Sequence, residues 1–441
     1  MAKKRYALVG AGNRAKMFVN ALLERHSDRA ELVALCDTNQ TRMDFHNTLI
    51  EEAGHTALPT YKADAFDRMV AETKPDSVIV TTIDRTHHAY ICRAMELDCD
   101  AVSEKPMTVD AERCQKIVDT VRRTGRHLTM TFNYRYAPRN SKVKEVLQSG
   151  AVGNILSVHF EWLLDTNHGA DYFRRWHRDK RNSGGLMVHK ATHHFDLINW
   201  WLDSSPDIVF GMGDLRFYGK ENAEGRGVAG FYSRARGSEI AAQDPFALSV
   251  TDKDRMLKGL YYDAEHEDAY YRDQSVFGDG ISIEDTMSVM VKYRNKAVMT
   301  YSLNAHCPWE GYRVCFNGTR GRLEFHVVEK SYVSGGYEDF NMPGMRELEG
   351  EKATLVPEIV FQPHWGKPQV IDYEQGDLGG HGGGDVRLLD DVFIGPGEDP
   401  LGRAAGYVDG ARSILTGIAA NRSFATGMPV RVNELVDLPE L

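Results

Sequence analysis

The sequence predicts an α/β protein in two parts. The first is a parallel sheet with helices on both faces. The second is an α+β domain on an open, mostly antiparallel sheet. Two observations predict this. Short apolar runs alternate with helical patterns up to about residue 131, and strands separated by crossover helices pair in parallel. Further along, alternating strands are joined by tight turns, which is the mark of hairpins.

The elements follow in order. Residues 5–9 form an apolar run that stops at Gly10, and Ala15, Phe18, Ala21 and Leu22 then recur at helical spacing. A second run, 32–36, ends at Asp37, a third, 78–80, at Thr81-Thr82, and a fourth, around Ala101 and Val102, at Ser103-Glu104-Lys105-Pro106. Residues 110–123 read as a helix and 127–131 as a strand. In the second part, 155–164 reads as a strand and 184–202 as one long helix. Residues 286–293 and 297–304 flank an Arg-Asn-Lys turn, and 314–316 pairs with 323–325 around Asn317-Gly318. Residues 219–282 are charged and tyrosine-rich without period and read as an insertion, a lid or an oligomer contact. A last amphipathic helix spans about 403–420. The expected domains are therefore 1–135, 136–400 and a C-terminal helix and tail, 401–441, packing back toward the first.

Composition excludes several function classes. With 441 residues, of which 42% are apolar and 26% charged, the chain has enough apolar surface for two or three folded domains and is not a disordered one. Its 53 basic and 63 acidic side chains leave a net charge of −10, so it has no global attraction for nucleic acid or anionic lipid. No uncharged apolar run approaches the roughly 18–20 residues of a membrane span. The six cysteines form no CxxC pair, which suits reduced thiols and a cytoplasmic setting.

Three motifs carry chemistry. In Gly10-Ala-Gly12-Asn13-Arg14-Ala15 the first glycine permits a tight turn and the second lets backbone approach a pyrophosphate. The small Ala15 lets the helix pack on the strand, and the helix N-terminus turns free N–H groups toward the phosphates. Asp37, at the end of the second strand, is placed to bond both ribose hydroxyls and to repel a 2′-phosphate, so NAD is expected ahead of NADP. In Glu104-Lys105-Pro106 the proline stops the strand and leaves Lys105 at the sheet's carboxyl edge, where it can bond a substrate hydroxyl. Finally, His189, Lys190, His193, His194 and Asp196 crowd eight residues of the predicted helix, with His189, His193 and Asp196 on one face. So many polar groups suit a pocket better than an apolar core. His residues at i and i+4 can bind zinc, but the intervening Glu of metalloproteases is absent and no metal is expected.

The glycine turn, the Glu-Lys-Pro strand end and the Gly184-Gly185…His193…Asp196 helix, in that order, resemble the Gfo/Idh/MocA oxidoreductase family. Thr82-Ile-Asp-Arg-Thr-His87 is similar to the family's Thr-Pro-x-x-x-His segment, with Ile83 in place of Pro. Asn133-Tyr-Arg135-Tyr-Ala-Pro138 resembles its interdomain segment, and Asn317 to Glu324 and the last helix also fit. The resemblance covers most of 4–215 and 283–441 and implies a Rossmann domain followed by a mixed sheet. It implies hydride transfer between NAD(P) and a sugar or cyclitol hydroxyl. The family's lysine falls on Lys105. Its helix pattern, commonly Asp-x-x-x-His, falls on His189 and His193, so the His is kept and the Asp replaced.

The expected catalytic residues are therefore Lys105, His193 and His189, with His193 as general acid/base. The expected cofactor residues are Gly10, Gly12, Asn13, Arg14, Asp37, Thr82, His87, Glu104 and Lys105. Substrate contacts are expected from Arg135, Trp176, Lys190, His194 and His381. A Trp can stack on a sugar face, and Gly380-His381-Gly382 resembles a late family loop. The expected activity is an NAD-dependent dehydrogenase acting on a sugar, a glycoside (at C3) or a cyclitol. The alternatives are an NAD-dependent glycoside hydrolase cycling through oxidation, elimination and reduction, and a non-catalytic dinucleotide-binding regulator. A small-molecule substrate and a homodimer or homotetramer are expected; nucleic-acid and membrane partners are not.

Overall fold

A computed structural model describes residues 2–250, 254–333, 345–346, 354–355, 358–374 and 380–438. The chain divides into two compact units, each assembled from three stretches. The first comprises Met1–Ala137, Val250–Arg272 and Asp377–Ile414; the second comprises Pro138–Ser249, Asp273–Gly376 and Leu415–Leu441.

In the first unit β1 (Lys4–Val9), α1 (Ala15–Leu23), β2 (Ala30–Asp37), α2 (Gln40–Glu52), β3 (Thr60–Lys62), α3 (Phe66–Thr73), β4 (Ser77–Val80), α4 (His87–Glu96), β5 (Asp100–Ser103), α5 (Ala111–Thr124) and β6 (Leu128–Met130) follow one another. The six strands run in the order β3-β2-β1-β4-β5-β6, and every pairing is parallel. Central strands covered on both faces have no polar alternation, which is why β4 reads as Ser-Val-Ile-Val with all four residues buried. The helices are capped from sequence. Asn39 accepts from the Arg42 N–H at the start of α2, Asp110 accepts from the Arg113 N–H at the start of α5, and Gly125 closes α5 at φ +66°. Tyr6, Leu8, Phe18, Leu35 and Ile79 fill the core, joined by Leu389 and Phe393 of a late helix, Gly384–Phe393.

The second unit opens with α6 (Pro138–Gln148) and continues through β7 (Ile155–Asp165), α7 (His168–Arg174), α8 (Lys180–Ser183), α9 (Leu186–His189), α10 (Ala191–Leu202), β8 (Pro206–Asp214), β9 (Thr286–Tyr293), β10 (Val298–Cys307), β11 (Glu310–Gly318) and β12 (Gly321–Lys330). Its nine-stranded sheet runs from short edge strands at Gln369–Val370 and Ile359–Pro363 through β12, β11, β7, β10, β9 and β8 to Val430–Arg431. Only the β7–β10 pairing is parallel. β9 alternates buried and exposed residues, as a strand with one solvated face does. All twelve residues of α10 are buried. Trp162 of β7 stacks on Tyr312 of β11 at 4.3 Å, and Trp201 of α10 meets Phe316 and Phe325 edge-on.

Two expectations need correcting. The single helix over 184–202 is three pieces of chain. Gly184 and Gly185 both take positive φ (70° and 75°), α9 lasts one turn, and α10 restarts after Lys190. The turn is held by close backbone packing: a Cβ on Gly417, in the last long helix, would stand 2.2 Å from the Met187 carbonyl oxygen. The stretch 219–282, expected as an insertion within the second domain, is shared between the two units. Phe246 and Phe277 pack with Phe217 and Tyr218 in the second unit, while 254–272 joins the first. Among the described residues, no helix is long and apolar enough to cross a membrane.

Candidate functional site

At the carboxyl edge of the parallel sheet, β1 ends in Gly10 at φ +98°. A Cβ there would stand 2.5 Å from the Thr81 carbonyl carbon and the Thr82 nitrogen, so only glycine allows the turn to lie against β4. Gly12 differs: a Cβ on it would meet no atom within 4 Å. The space beside Gly12 is open, as a close-approaching phosphate requires. Asp37 is held by two backbone donors, the Ala11 N–H at 2.6 Å and the Asn39 N–H at 2.8 Å, one to each oxygen. A glycine cradle, open space at the second glycine and a fixed acid at the end of β2 fit the pyrophosphate and adenosine ribose of NAD.

The other expected cofactor residues surround this cradle. Arg14 starts α1, and its guanidinium donates to Glu104 at 2.6 Å and lies 3.6 Å from Asp385. Glu104, almost fully buried, also accepts from the Lys105 N–H at 3.2 Å. Lys105 thus projects after β5 from a backbone anchored by Glu104, and its peptide to Pro106 is cis. Thr82 bonds Thr86 at 2.8 Å. The His87 ring reaches the Pro106 carbonyl at 2.8 Å and the Thr82 carbonyl at 3.0 Å. Burial pushes its pKa down, the two carbonyls push it back up, and the ring braces the loops after β4 and β5.

The second unit carries the histidine cluster. His189, at the end of α9, meets His177 at 4.1 Å between ring centroids, Tyr172 at 5.5 Å and Trp176 at 5.9 Å. Trp176 stacks on His177 at 3.5 Å. His193, one turn into the helical run, is 3% exposed. The Lys190 ammonium lies 5.0 Å from the Trp162 ring, and burial pushes its pKa down. Beside it Glu310 accepts from His168 Nδ1 at 2.8 Å, while His168 Nε2 lies 3.1 Å from the Tyr172 hydroxyl. In the tautomer with its proton on Nδ1, toward the Glu310 carboxylate, His168 leaves Nε2 to accept the Tyr172 O–H. Burial alone would raise the Glu310 pKa, but His168, Lys190 and Lys330 outweigh it and hold it at about 2.

Two expected substrate residues lie elsewhere. His194 is fully buried, stacked on Trp162 at 3.8 Å and bonded to the Tyr301 hydroxyl at 2.6 Å; one residue on from His193, it faces the sheet. Arg135 is 2% exposed and paired with Asp409 at 2.9 Å, so its guanidinium is committed to the core of the first unit. His381 falls in the turn Gly380–Gly383, and its side chain is outside the described residues. Sequence reasoning missed Tyr172, His168 and Glu310. The first two stand at i, i+4 on α7 and carry a faint helical signal, whereas Glu310 arrives from a distant strand and carries none. It also missed Tyr261, whose hydroxyl accepts from the Asn13 N–H at 3.3 Å. Among the described residues, no three His, Cys, Asp or Glu side chains converge in a metal-binding group.

Comparison with known proteins agrees with this layout. Residues 4–132 match the model of the oxidoreductase family's NAD-binding Rossmann fold, and 144–432 match that of its C-terminal alpha/beta domain. The chain is 35% identical to "Putative oxidoreductase YteT" of Bacillus subtilis (strain 168) over 446 aligned positions, covering 99% of each chain. Two further likenesses are partial. One is to D-glucoside 3-dehydrogenase of Escherichia coli (strain K12), 30% identical over 34% of this chain and 41% of that one. The other is to glycosyl hydrolase family 109 protein 1 of Akkermansia muciniphila, 26% identical over 42% of this chain and 40% of that one. With both of its domains matched and a relative aligned end to end, the chain belongs to the Gfo/Idh/MocA family of NAD-binding oxidoreductases.

Proposed function

We propose that the protein is a dehydrogenase acting on a secondary hydroxyl of a sugar, glycoside or cyclitol. NAD, when bound, supplies the hydride acceptor. The reading is carried by the cluster of Trp176, His177 and His189, which combines a flat aromatic ring with imidazoles suited to proton transfer near neutral pH. Gly10, Gly12, Asn13 and Asp37 bind the dinucleotide. Lys105 steadies the alkoxide, His193 takes the hydroxyl proton, His189 orients the substrate, and Trp176 stacks on the ring face. The partial likeness to a glucoside 3-dehydrogenase supports C3 of a glycoside as the oxidised carbon.

A second reading, a glycosidase that oxidises, eliminates and then re-reduces, is favoured by the Glu310–His168–Tyr172 chain. A phenol that gives its proton to an imidazole backed by a carboxylate is suited to removing the acidified C–H next to a keto group. Incubation with NAD and a panel of nitrophenyl glycosides, free sugars and cyclitols tests both. NADH formation without nitrophenol supports the dehydrogenase, nitrophenol release without net NADH supports the glycosidase, and neither signal across the panel overturns both.

A further inference from the structure

The stretch 254–272 crosses the adenosine end of the dinucleotide cradle, and its contacts there are polar and specific. The Ala264 carbonyl accepts from Asn39 Nδ2 at 2.8 Å, and the Leu260 carbonyl accepts from Arg42 Nε at 2.9 Å. Asp268 pairs with Arg42 at 2.7 Å, and Arg42 in turn lies about equally far, 5.8 and 5.9 Å, from the rings of Tyr261 and Tyr270. A Cβ on Gly259 would strike the Phe45 ring at 2.2 Å, so the arm lies against α2 with no spare room.

Its central contact is Glu267. One oxygen accepts from the Thr41 N–H and the Thr41 hydroxyl, each at 2.7 Å. The other accepts from the Gln40 N–H at 2.8 Å and the Lys62 ammonium at 2.7 Å. These four donors, gathered at the start of the thirteen-residue α2 and the end of β3, form an anion seat just past Asp37. That is the side of the ribose on which a 2′-phosphate would project, and a phosphate would take the same donors. Burial raises the Glu267 pKa, but the Lys62, Gln40 and Thr41 donors together outweigh it and hold the carboxylate far below its ordinary range, so the seat carries a negative charge.

We propose that Glu267 is a cofactor-specificity residue: its carboxylate fills the seat that the 2′-phosphate of NADP would occupy, so that the arm admits NAD and excludes NADP. Asp37 repels the phosphate from one side, and Glu267 denies it the donors on the other. The inference rests on the reading of Asp37 as the ribose acid.

The test is dinucleotide binding by the full-length protein, without substrate. NAD, NADP and adenosine 2′,5′-bisphosphate are titrated by calorimetry into the wild type, Glu267→Ala and Glu267→Gln, and into Asp37→Ser alone and with Glu267→Ala. The Gln variant keeps the side-chain shape if the Ala variant folds poorly. The expected result is at least a tenfold gain in NADP and bisphosphate affinity in Glu267→Ala over wild type. The gain should be larger in the double variant than in Asp37→Ser, and smaller in Glu267→Gln, which still fills the seat. NADP affinity within twofold of wild type in Glu267→Ala, and no gain over Asp37→Ser in the double variant, would overturn the inference alone. A wild type that binds no NAD would overturn the reading on which it rests, and the inference with it.

Discussion

Replacing Gly10 and Gly12 separately by alanine divides the cofactor cradle into a part that shapes the protein and a part that meets the ligand. At Gly10 the backbone sits at φ +98°, where a Cβ costs about 1–2 kcal/mol in conformation alone. That Cβ would also overlap the backbone at Thr81 and Thr82 at 2.5 Å, and forced overpacking costs a further ~1–3 kcal/mol. The overlapped atoms are main chain in the neighbouring strand and its loop, so they cannot turn aside as a side-chain tip would. Gly10→Ala is therefore expected to lose about 2–5 kcal/mol and to lower the Tm by roughly 5–15 °C. At Gly12 the Cβ meets nothing within 4 Å, so Gly12→Ala should stay within about 0.5 kcal/mol of wild type in the absence of NAD. Yet the open space there is what a pyrophosphate needs, and a methyl group in it should weaken NAD by about tenfold to a hundredfold, or ~1.4–2.7 kcal/mol. Thermal unfolding with and without NAD, together with NAD titration, reads both effects. If Gly12→Ala binds NAD like wild type, or is destabilised as much as Gly10→Ala, the assignment of the two glycines is refuted.

Four other outcomes can be measured. His193→Ala should lower turnover by about 10²–10⁴-fold while NAD still titrates to the same stoichiometry; a smaller loss removes His193 as the acid/base. Arg135→Ala should cost about 3–5 kcal/mol by stranding Asp409 in a largely buried pair, and a change in KM with unchanged Tm would return Arg135 to the substrate site. The Glu310 pKa is depressed from 4.5 to about 2, so its stabilisation is fully present above pH 4.5 and is lost as pH falls toward 2. The stability difference between wild type and Glu310→Gln in urea unfolding, about 3 kcal/mol near neutral pH, should therefore shrink steadily below pH 4.5. Tyr172→Phe should abolish exchange of the substrate C–H with deuterated water if the elimination reading holds, and should leave NADH formation by a simple dehydrogenase largely intact.

The parallel sheet was legible because burial on both faces writes itself into sequence as uninterrupted apolar runs. β1, β2, β4 and β5 each announce themselves that way, and each run stops at or just before a glycine or polar residue: Gly10, Asp37, Thr81 and Glu104. β3 escaped because three residues, Thr-Tyr-Lys, with one buried, leave no run to detect. The break at Lys190 escaped for a different reason. Residues 186–202 keep helical spacing on both sides of it, and the turn before it packs its backbone at Met187 against Gly417, more than 200 positions away.

The site divides along the same line. Gly10, Gly12, Asp37 and the Glu104-Lys105 pair were legible because a local turn dictates residue type at fixed offsets. The histidine row was legible as a crowd but not in its orientations. His193 and His194 differ by one residue, about 100° around a helix, so the two rings face different sides, and His194 packs onto Trp162. Glu310, Glu267 and Tyr261 were illegible because their partners lie 142, 226 and 248 residues away, at His168, Thr41 and Asn13. Nothing near a glutamate in a charged, aperiodic stretch says that four donors are waiting for it. Such a stretch reads as solvated surface until the fold brings an anion seat to it. An aperiodic insertion is thus the place where a family's shared cradle acquires a property of its own, because insertions are free to reach across a site without disturbing the periodic elements that build it.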